Sequence, residues 1–436
     1  MTEPASSGNS GIQQSCDEQA SDERADGKQL GRRRALTILG AGGLLVSGSA
    51  GRTVSAATNA SGPRSWREAG GGFSNYGTPS DDSRIIRWIS AEPSSPGTGA
   101  SWTPLHELEG SITPNGLHFE RHHGGVPAID ADRWELRVDG AVRQVVHLDL
   151  DSLRQRPMHA RFAFIECGGN SSSLWREQAV QAPAGWLHGL VSSGEWAGVP
   201  LFDLLEEAGL GSDAGWLIAT GLDAAGVTVS LALDTLPADT MIALYRNGEP
   251  LRVEHGWPAR LLVPGHEGIC NVKWLGRLTV ADRPAMSRFD TVSYTDLGRD
   301  GIATRFSRVM GVKSVITLPA VGDQLAVGLV AITGLAWSGA GRISRVEISV
   351  DGGNTWDDAS LDGEPLDRTF IRFRFSWNRS RATPVMMQSR AHDDAGRVQP
   401  TRAALLGTHG PNHHYHYNAV LTLGIEADGR VVNVHA

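Results

Sequence analysis

One cysteine in this chain stands where chemistry is possible. Cys167 follows the apolar Phe164-Ile165 and precedes Gly168-Gly169-Asn170. That is a strand end running into a turn whose glycines let backbone approach a bulky group at the sulfur. A thiolate there suits a nucleophile or a ligand of a soft metal; the plainer reading of a lone cysteine is a buried, inert one. Other Gly- and Pro-rich segments carry cations and imidazoles: Phe119-Glu120-Arg121-His122-His123-Gly124-Gly125-Val126-Pro127, His255-Gly256-Trp257-Pro258-Ala259-Arg260 and Val272-Lys273-Trp274-Leu275-Gly276. Such groups suit an anion bearing phosphate or oxo groups. Singly, each is an ordinary surface or capping residue; converging from separate loops, they make a pocket for an anionic cofactor.

These loops need a scaffold to bring them together. Residues 134–140 alternate apolar and polar and end in a turn, which predicts a strand. Residues 201–208 carry apolar side chains at helical spacing directly after Val199-Pro200, which predicts a helix with proline at its start. Short strands, Gly/Pro turns and a few helices make 105–308 a mixed α+β domain. Beyond it, 325–337, 343–350, 370–377 and 386–391 read as strands, with Asp351-Gly352-Gly353-Asn354 as a tight turn. Strands at that spacing predict an immunoglobulin-like β-sandwich over 309–436, without the Cys–Trp–Cys pattern and hence without its disulfide. Residues 57–104 read as an extended N-terminal arm, and no internal repeat is present.

Composition bounds the alternatives. A chain of 436 residues allows two or three domains. Acidic residues outnumber basic ones by 48 to 40, for a net charge of −8, which argues against a nucleic-acid face. The apolar run at 35–50 is shorter than the ~20 residues a membrane-spanning helix needs, so an integral membrane protein is not expected. Arginine is used almost throughout: only Lys28, Lys273 and Lys313 are lysines. Codon bias explains that, but a lysine kept in such a chain is a candidate for a specific task. Of the three cysteines, Cys16, Cys167 and Cys270, no two form C-x-x-C and none sits in C-x-x-C-H, so the chain holds no covalently attached haem. A phosphate loop, a dinucleotide-binding glycine motif, H-E-x-x-H and a G-x-S-x-G elbow are all missing from the sequence. His413, His414 and His416, with Tyr415 and Tyr417, have no acidic or Cys neighbour in sequence and read as a surface or interface cluster.

The first 30 residues are polar and read as disordered. Gly31-Arg32-Arg33-Arg34, a short apolar stretch and the small residues around Val54-Ser55-Ala56 follow. That order is a secretory signal, and paired arginines before a moderately apolar stretch resemble a twin-arginine signal over 1–56. Export of a folded protein, to a periplasm or equivalent, is the expectation. Cleavage near Ala56 removes Cys16 and leaves two cysteines; a Cys167–Cys270 disulfide is not expected, because it would abolish any metal site.

The segments together resemble the sulfite oxidase family of molybdopterin enzymes. That family has a Phe-x-Arg-Asn-His segment ending in Val-Pro, a Cys-Ala-Gly-Asn turn, a Trp-x-Gly-Val box, a His-Gly-Phe-Pro-x-Arg segment and a Val-Lys-Trp-Leu strand. Its C-terminal domain has counterparts of Ala336-Trp337-Ser338-Gly339-Ala340-Gly341-Arg342 and Ser349-Val350-Asp351-Gly352-Gly353-Asn354-Thr355-Trp356. Within the family, the phrases 113–125, 165–170, 310–317 and 417–420 resemble the branch of sulfane dehydrogenase molybdenum subunits. The resemblance implies a molybdopterin-binding catalytic domain followed by a dimerisation domain, and a molybdenum cofactor. It implies that Cys167 is the thiolate ligand of the metal. Phe119, His122, His123, Asp223, His255, Arg260, Asn271 and Lys273 would hold the pterin and its phosphate. Arg121 would sit at the substrate and Tyr294 near the metal's oxo group.

The chain also departs from the family. Where sulfite oxidases follow the turn with two arginines, the second of which helps bind sulfite, this chain has Ser171 and Ser172. Sulfane sulfur bound to a carrier protein is then the expected substrate, with free sulfite as the alternative and a non-catalytic binding module as the third reading. Electrons would leave to a c-type cytochrome subunit. The family's C-terminal domain implies a homodimer, possibly inside a hetero-oligomer.

Overall fold

A computed structural model describes residues 75–77, 80, 85–90, 97–298, 301–305, 308–410 and 413–435. The segment read as a twin-arginine signal lies outside the described residues. Three short antiparallel strands come first, β1 (Trp88–Ile89), β2 (Gly99–Trp102) and β3 (Glu120–His122). The end of the stretch expected to be a surface arm is thus built into a sheet. Ser101 and Thr103 are buried there, and Ala100 pairs with Arg121 of the first cationic segment.

Ten strands then form two sheets: β4 (Leu136–Gly140), β5 (Val146–Leu148), β6 (His159–Glu166), β7 (Val191–Pro200), β8 (Trp216–Gly221), β9 (Thr228–Ala232), β10 (Met241–Arg246), β11 (Glu249–Pro250), β12 (Arg260–Leu262) and β13 (Leu275–Ala281). One sheet runs β11-β10-β7-β6 with β12 also on β10; the other runs β5-β4-β13-β8-β9. The predicted strand at 134–140 is β4, whose Leu136 and Val138 face the core while Arg137 is exposed. The helix Leu201–Ala208 forms as predicted, its Leu201, Leu204, Leu205 and Ala208 on one buried face. That i, i+3, i+4, i+7 spacing puts them in one stripe, each leucine contributing roughly 2 kcal/mol of burial. Pro200 pre-sets the entry, and Gly209 ends the helix with φ +70°, where an added Cβ would strike the Arg143 guanidinium.

After β14 (Thr295–Leu297) and β15 (Ala303–Arg305), the chain enters a two-sheet sandwich. Its strands are β16 (Lys313–Leu318), β17 (Gly328–Trp337), β18 (Ile343–Ser349), β19 (Asp357–Asp358), β20 (Ser360–Leu361), β21 (Ile371–Arg379), β22 (Val385–Asp393), β23 (Thr422–Ile425) and β24 (Val431–Val434). The sheets run β16-β17-β21-β20 and β19-β18-β22-β23-β24. Ile332 and Phe373 of one meet Val346, Met387 and Ile425 of the other in a common core. The predicted sandwich strands fall on β17, β18, β21 and β22, with Asp351-Gly352-Gly353-Asn354 in the turn after β18.

The mixed domain and the sandwich do not merely adjoin. Phe164 of β6 and Val191 of β7 share a buried cluster with Val315, Leu335, Trp337 and Phe370 of the sandwich side. The strand that leads into Cys167 is therefore packed from behind by the C-terminal domain. Among the described residues, no helix is long and apolar enough to cross a membrane.

Candidate active site

The end of β6, the β3 segment, and the loops at 253–260 and 267–274 converge on a cleft of ≈ 680 Å³ of empty space that opens to solvent. Cys167, Tyr294, Arg121, Phe119, His122, His123, Asp223, His255, Arg260, Asn271 and Lys273 all line it. The tertiary fold thus gathers, from 119 to 294, every residue that the family resemblance assigned to the site.

Cys167 continues the β6–β7 ladder, its N–H donating to Leu190 O at 2.9 Å, and its own carbonyl accepts from Asn170 N at 2.9 Å to close the turn. Gly168 is required there: a Cβ would fall 1.8 Å from Glu267 Oε1. Cys167 and Cys270 are free thiols. Burial pushes the Cys167 thiol up to about 11, with Arg121 pulling the other way. Cys270 is a core residue of the mixed domain.

The imidazoles have fixed roles. Lys273 Nζ donates to His122 Nδ1 at 2.8 Å, so the ring proton sits on Nε2, which donates to Glu120 Oε2 at 2.7 Å. Glu120 is held in turn by Arg87. Burial keeps His122 below its ordinary value despite the carboxylate. His123 Nε2 hydrogen-bonds the Tyr294 hydroxyl at 2.9 Å. Burial, then Arg121 and Lys273, push His123 down to about 3, and burial raises Tyr294 well above the ordinary phenol. At neutral pH this pair is a neutral imidazole against a protonated phenol.

The cations make few contacts with carboxylates. Arg260 is buried; among the described residues its Nη1 and Nη2 donate to the carbonyls of His255 at 3.1 Å and Asn271 at 2.8 Å, and its Nε has no partner. Burial pushes it down to about 9. It lies 5.2 Å from the Trp196 ring centroid, and Arg246 lies 5.3 Å from the same ring. Lys273 donates to Arg121 O, Glu254 O and His122 but to no carboxylate among the described residues; burial and Arg260 hold it well below the ordinary amine. Buried guanidinium and ammonium groups without counter-anions are costly. A bound anion is what such a cradle fits, and the thiol beside it fits a soft metal.

Two of the expected ligands also brace backbone. The Asn271 amide is fully engaged by backbone, accepting from Val263 N at 2.8 Å and donating to His266 O at 3.2 Å and Glu267 O at 3.0 Å. It shapes the loop wall. Asp223 accepts from Val227 N at 3.1 Å and stabilises its own turn. His118 and Glu254 also line the cleft and escaped the sequence reading. His118 is buried, its Nδ1 without a partner among the described residues and its ring 4.6 Å from that of His255. Its position directly before Phe119 was the one signal. The C-terminal histidines are a correction: acidic partners absent from the local sequence are supplied by the fold. His413 is buried with Nε2 3.4 Å from Asp296 Oδ2, and His416 Nε2 lies 4.0 Å from Glu267 Oε2. Among the described residues, no group of three or more His, Cys, Asp or Glu could hold a metal ion on its own.

Family profiles match both halves: an oxidoreductase molybdopterin binding domain over 123–289 and a Mo-co oxidoreductase dimerisation domain over 305–423. The mitochondrial sulfite oxidase of Mus musculus is 35 % identical over 320 residues, 68 % of this chain and 58 % of the mouse protein. Inducible nitrate reductase [NADH] 1 of Glycine max is 29 % identical over 325 residues, 65 % of this chain and 36 % of that protein. The crystal structure of the sulfane dehydrogenase SoxCD from Paracoccus pantotrophus superposes with a TM-score of 0.81 at 39 % identity, covering 85 % of this chain and 97 % of that one. This chain therefore spans little more than half the length of the mouse protein.

Proposed function

This chain belongs to the sulfite oxidase family of molybdopterin oxidoreductases, and from that premise we propose that it oxidises sulfane sulfur carried on a partner protein. The observation that carries the proposal is the cleft itself: a thiol, two buried cations with no carboxylate hydrogen bond among the described residues and a phenol–imidazole pair line one space. These residues fit a molybdenum cofactor, whose phosphate would answer Arg260 and Lys273 and whose metal would take Cys167 as thiolate. When bound, that cofactor supplies two-electron oxygen transfer to sulfur.

The chain's own residues do the rest. Arg121 is the cation that acts on both the Cys167 thiol and the Tyr294 phenol, so it would hold the anionic end of the substrate between them. Tyr294, kept protonated, donates a hydrogen bond to substrate oxygen, and neutral His123 orients that hydroxyl. His122, with Nε2–H fixed on Glu120, keeps the Lys273 ammonium in place. Residues 105–308 would form the catalytic domain and 309–436 the dimerisation domain. A c-type cytochrome would receive the electrons, and the segment at 1–56 would direct twin-arginine export to the periplasm.

Substrate choice rests on charge. Ser171 is buried, its hydroxyl engaged by Lys313 and His188, and neither Ser171 nor Ser172 lines the cleft. Each charged hydrogen bond to a small dianion is worth ~1.5–3 kcal/mol, so free sulfite would be held less well. The sulfite oxidase relatives favour the second reading, direct sulfite dehydrogenation. Turnover of free sulfite by fully loaded enzyme, with an artificial electron acceptor, separates them. Negligible turnover supports carrier-bound sulfur; rapid turnover at micromolar sulfite sinks it.

A further inference from the structure

Lys313, a lysine kept in an arginine-rich chain, does not line the cleft. It lies behind it. Its ammonium, fully buried on β16, donates to Glu166 Oε1 at 3.1 Å and to Ser171 Oγ at 2.7 Å. Glu166 immediately precedes Cys167, and its carboxylate takes two further donors: Asn170 Nδ2 donates to Oε1 at 2.9 Å, and Trp337 Nε1 donates to Oε2 at 2.7 Å. An ammonium can only donate, so Ser171 Oγ accepts from Lys313; the same Oγ is hydrogen-bonded to His188 Nδ1 at 2.7 Å. Asn170 Oδ1 in turn accepts from Leu190 N at 3.1 Å.

Cys167-Gly168-Gly169 carries no side chain of its own that could fix the turn, and glycines leave the backbone free. Its conformation is set by the anchors at Glu166, Asn170 and Ser171, the last held at φ 67°. Two of those anchors end in the sandwich, and the same C-terminal domain adds a third grip through the N–H of His416, which donates to Gly168 O at 2.9 Å. A buried ion pair seldom adds net stability; its best-attested use is to select one arrangement over others. Resting on the reading of Cys167 as the metal's ligand, we propose that Lys313 and Trp337 are positioning residues. Acting through Glu166, they lock the cysteine turn, and this makes the dimerisation domain part of the metal site's geometry.

The test uses the full chain loaded with molybdenum cofactor. Lys313→Met, Trp337→Phe and the neutral pair Glu166→Gln/Lys313→Met are compared with wild type. Metal content, the paramagnetic resonance signal of the half-reduced metal, kcat and KM are read together. Both single variants should shift and broaden the resonance signal and lower kcat ~10-fold or more with KM within ~2-fold, since only the metal's geometry has moved. The neutral pair should recover at least ~3-fold in kcat over Lys313→Met, a coupling that loss of packing would not give. If Lys313→Met does not fold, Trp337→Phe, which keeps a ring and removes one donor, decides alone. A wild-type resonance signal and wild-type kcat in the folded single variants overturn the proposal. A Cys167→Ser control separates the two claims: if it keeps the wild-type signal, the ligand reading has failed; if it loses the signal while the positioning variants keep it, only this inference has failed.

Discussion

Cys167 should be a reluctant thiolate until something cationic binds it. Burial moves its thiol from an ordinary 9.0 to about 11, a bias of ~3 kcal/mol toward the protonated form. At pH 8 an ordinary thiol is roughly 10 % ionised and Cys167 roughly 0.1 %, so alkylation of cofactor-free protein should be ~100-fold slower than that of an unhindered cysteine. The assay is iodoacetamide labelling with peptide mass mapping from pH 7 to 11.5, with buried Cys270 read from its own peptide. The Cys167 rate should climb ~10-fold per pH unit without levelling before pH 10. A plateau by pH 9, or labelling at pH 8 as fast as a free thiol, would refute the argument. The sign carries to stability: the folded value lies above the unfolded one. The contribution is therefore present in full below about pH 9 and is lost as pH rises toward 11. Cys270, likewise raised to about 11 by burial, adds in the same direction. A metal that takes Cys167 as thiolate must displace that proton, so loading should release it and weaken at low pH.

Two other perturbations probe the walls of the site. Gly168→Ala places a methyl against the buried Glu267 carboxylate; overpacking should cost ~1–3 kcal/mol and lower the melting temperature and cofactor content together, and an unchanged melting temperature would contradict the contact. Glu120→Gln removes the carboxylate that raises His122, so the His122 ring resonances should titrate at lower pH than in wild type, and an upward shift would show that Glu120 is not its partner.

Much of this site was legible in one dimension, and for identifiable reasons. Periodicity marks elements whose cores are local stripes, so the helix at Leu201–Ala208 and the strand β4 fall where alternation and a leading proline put them. Motif residues such as Cys167, Arg260 and Lys273 announce themselves because chemistry limits what can stand there. Asn271 and Asp223 were visible too, but their hydrogen bonds turn inward to backbone, a distinction that depends on the path of their loops. His118 was missed because an imidazole beside an apolar residue carries no periodic signal.

The two-part α+β and sandwich architecture and many of the cleft residues were legible in the chain alone, since local patterning and motif residues are written there; His118 and Glu254 were not. Which groups touch was decided only by the tertiary structure. Long-range pairing brings Glu120, His122 and Lys273 into one chain of hydrogen bonds, gives the C-terminal histidines Asp296 and Glu267 as neighbours, and sets Lys313 behind Cys167. Apart from the local Glu120–His122 bond, those contacts join residues more than a hundred positions apart, and burial then decides their protonation. Neither separation nor burial can be read from residue type alone.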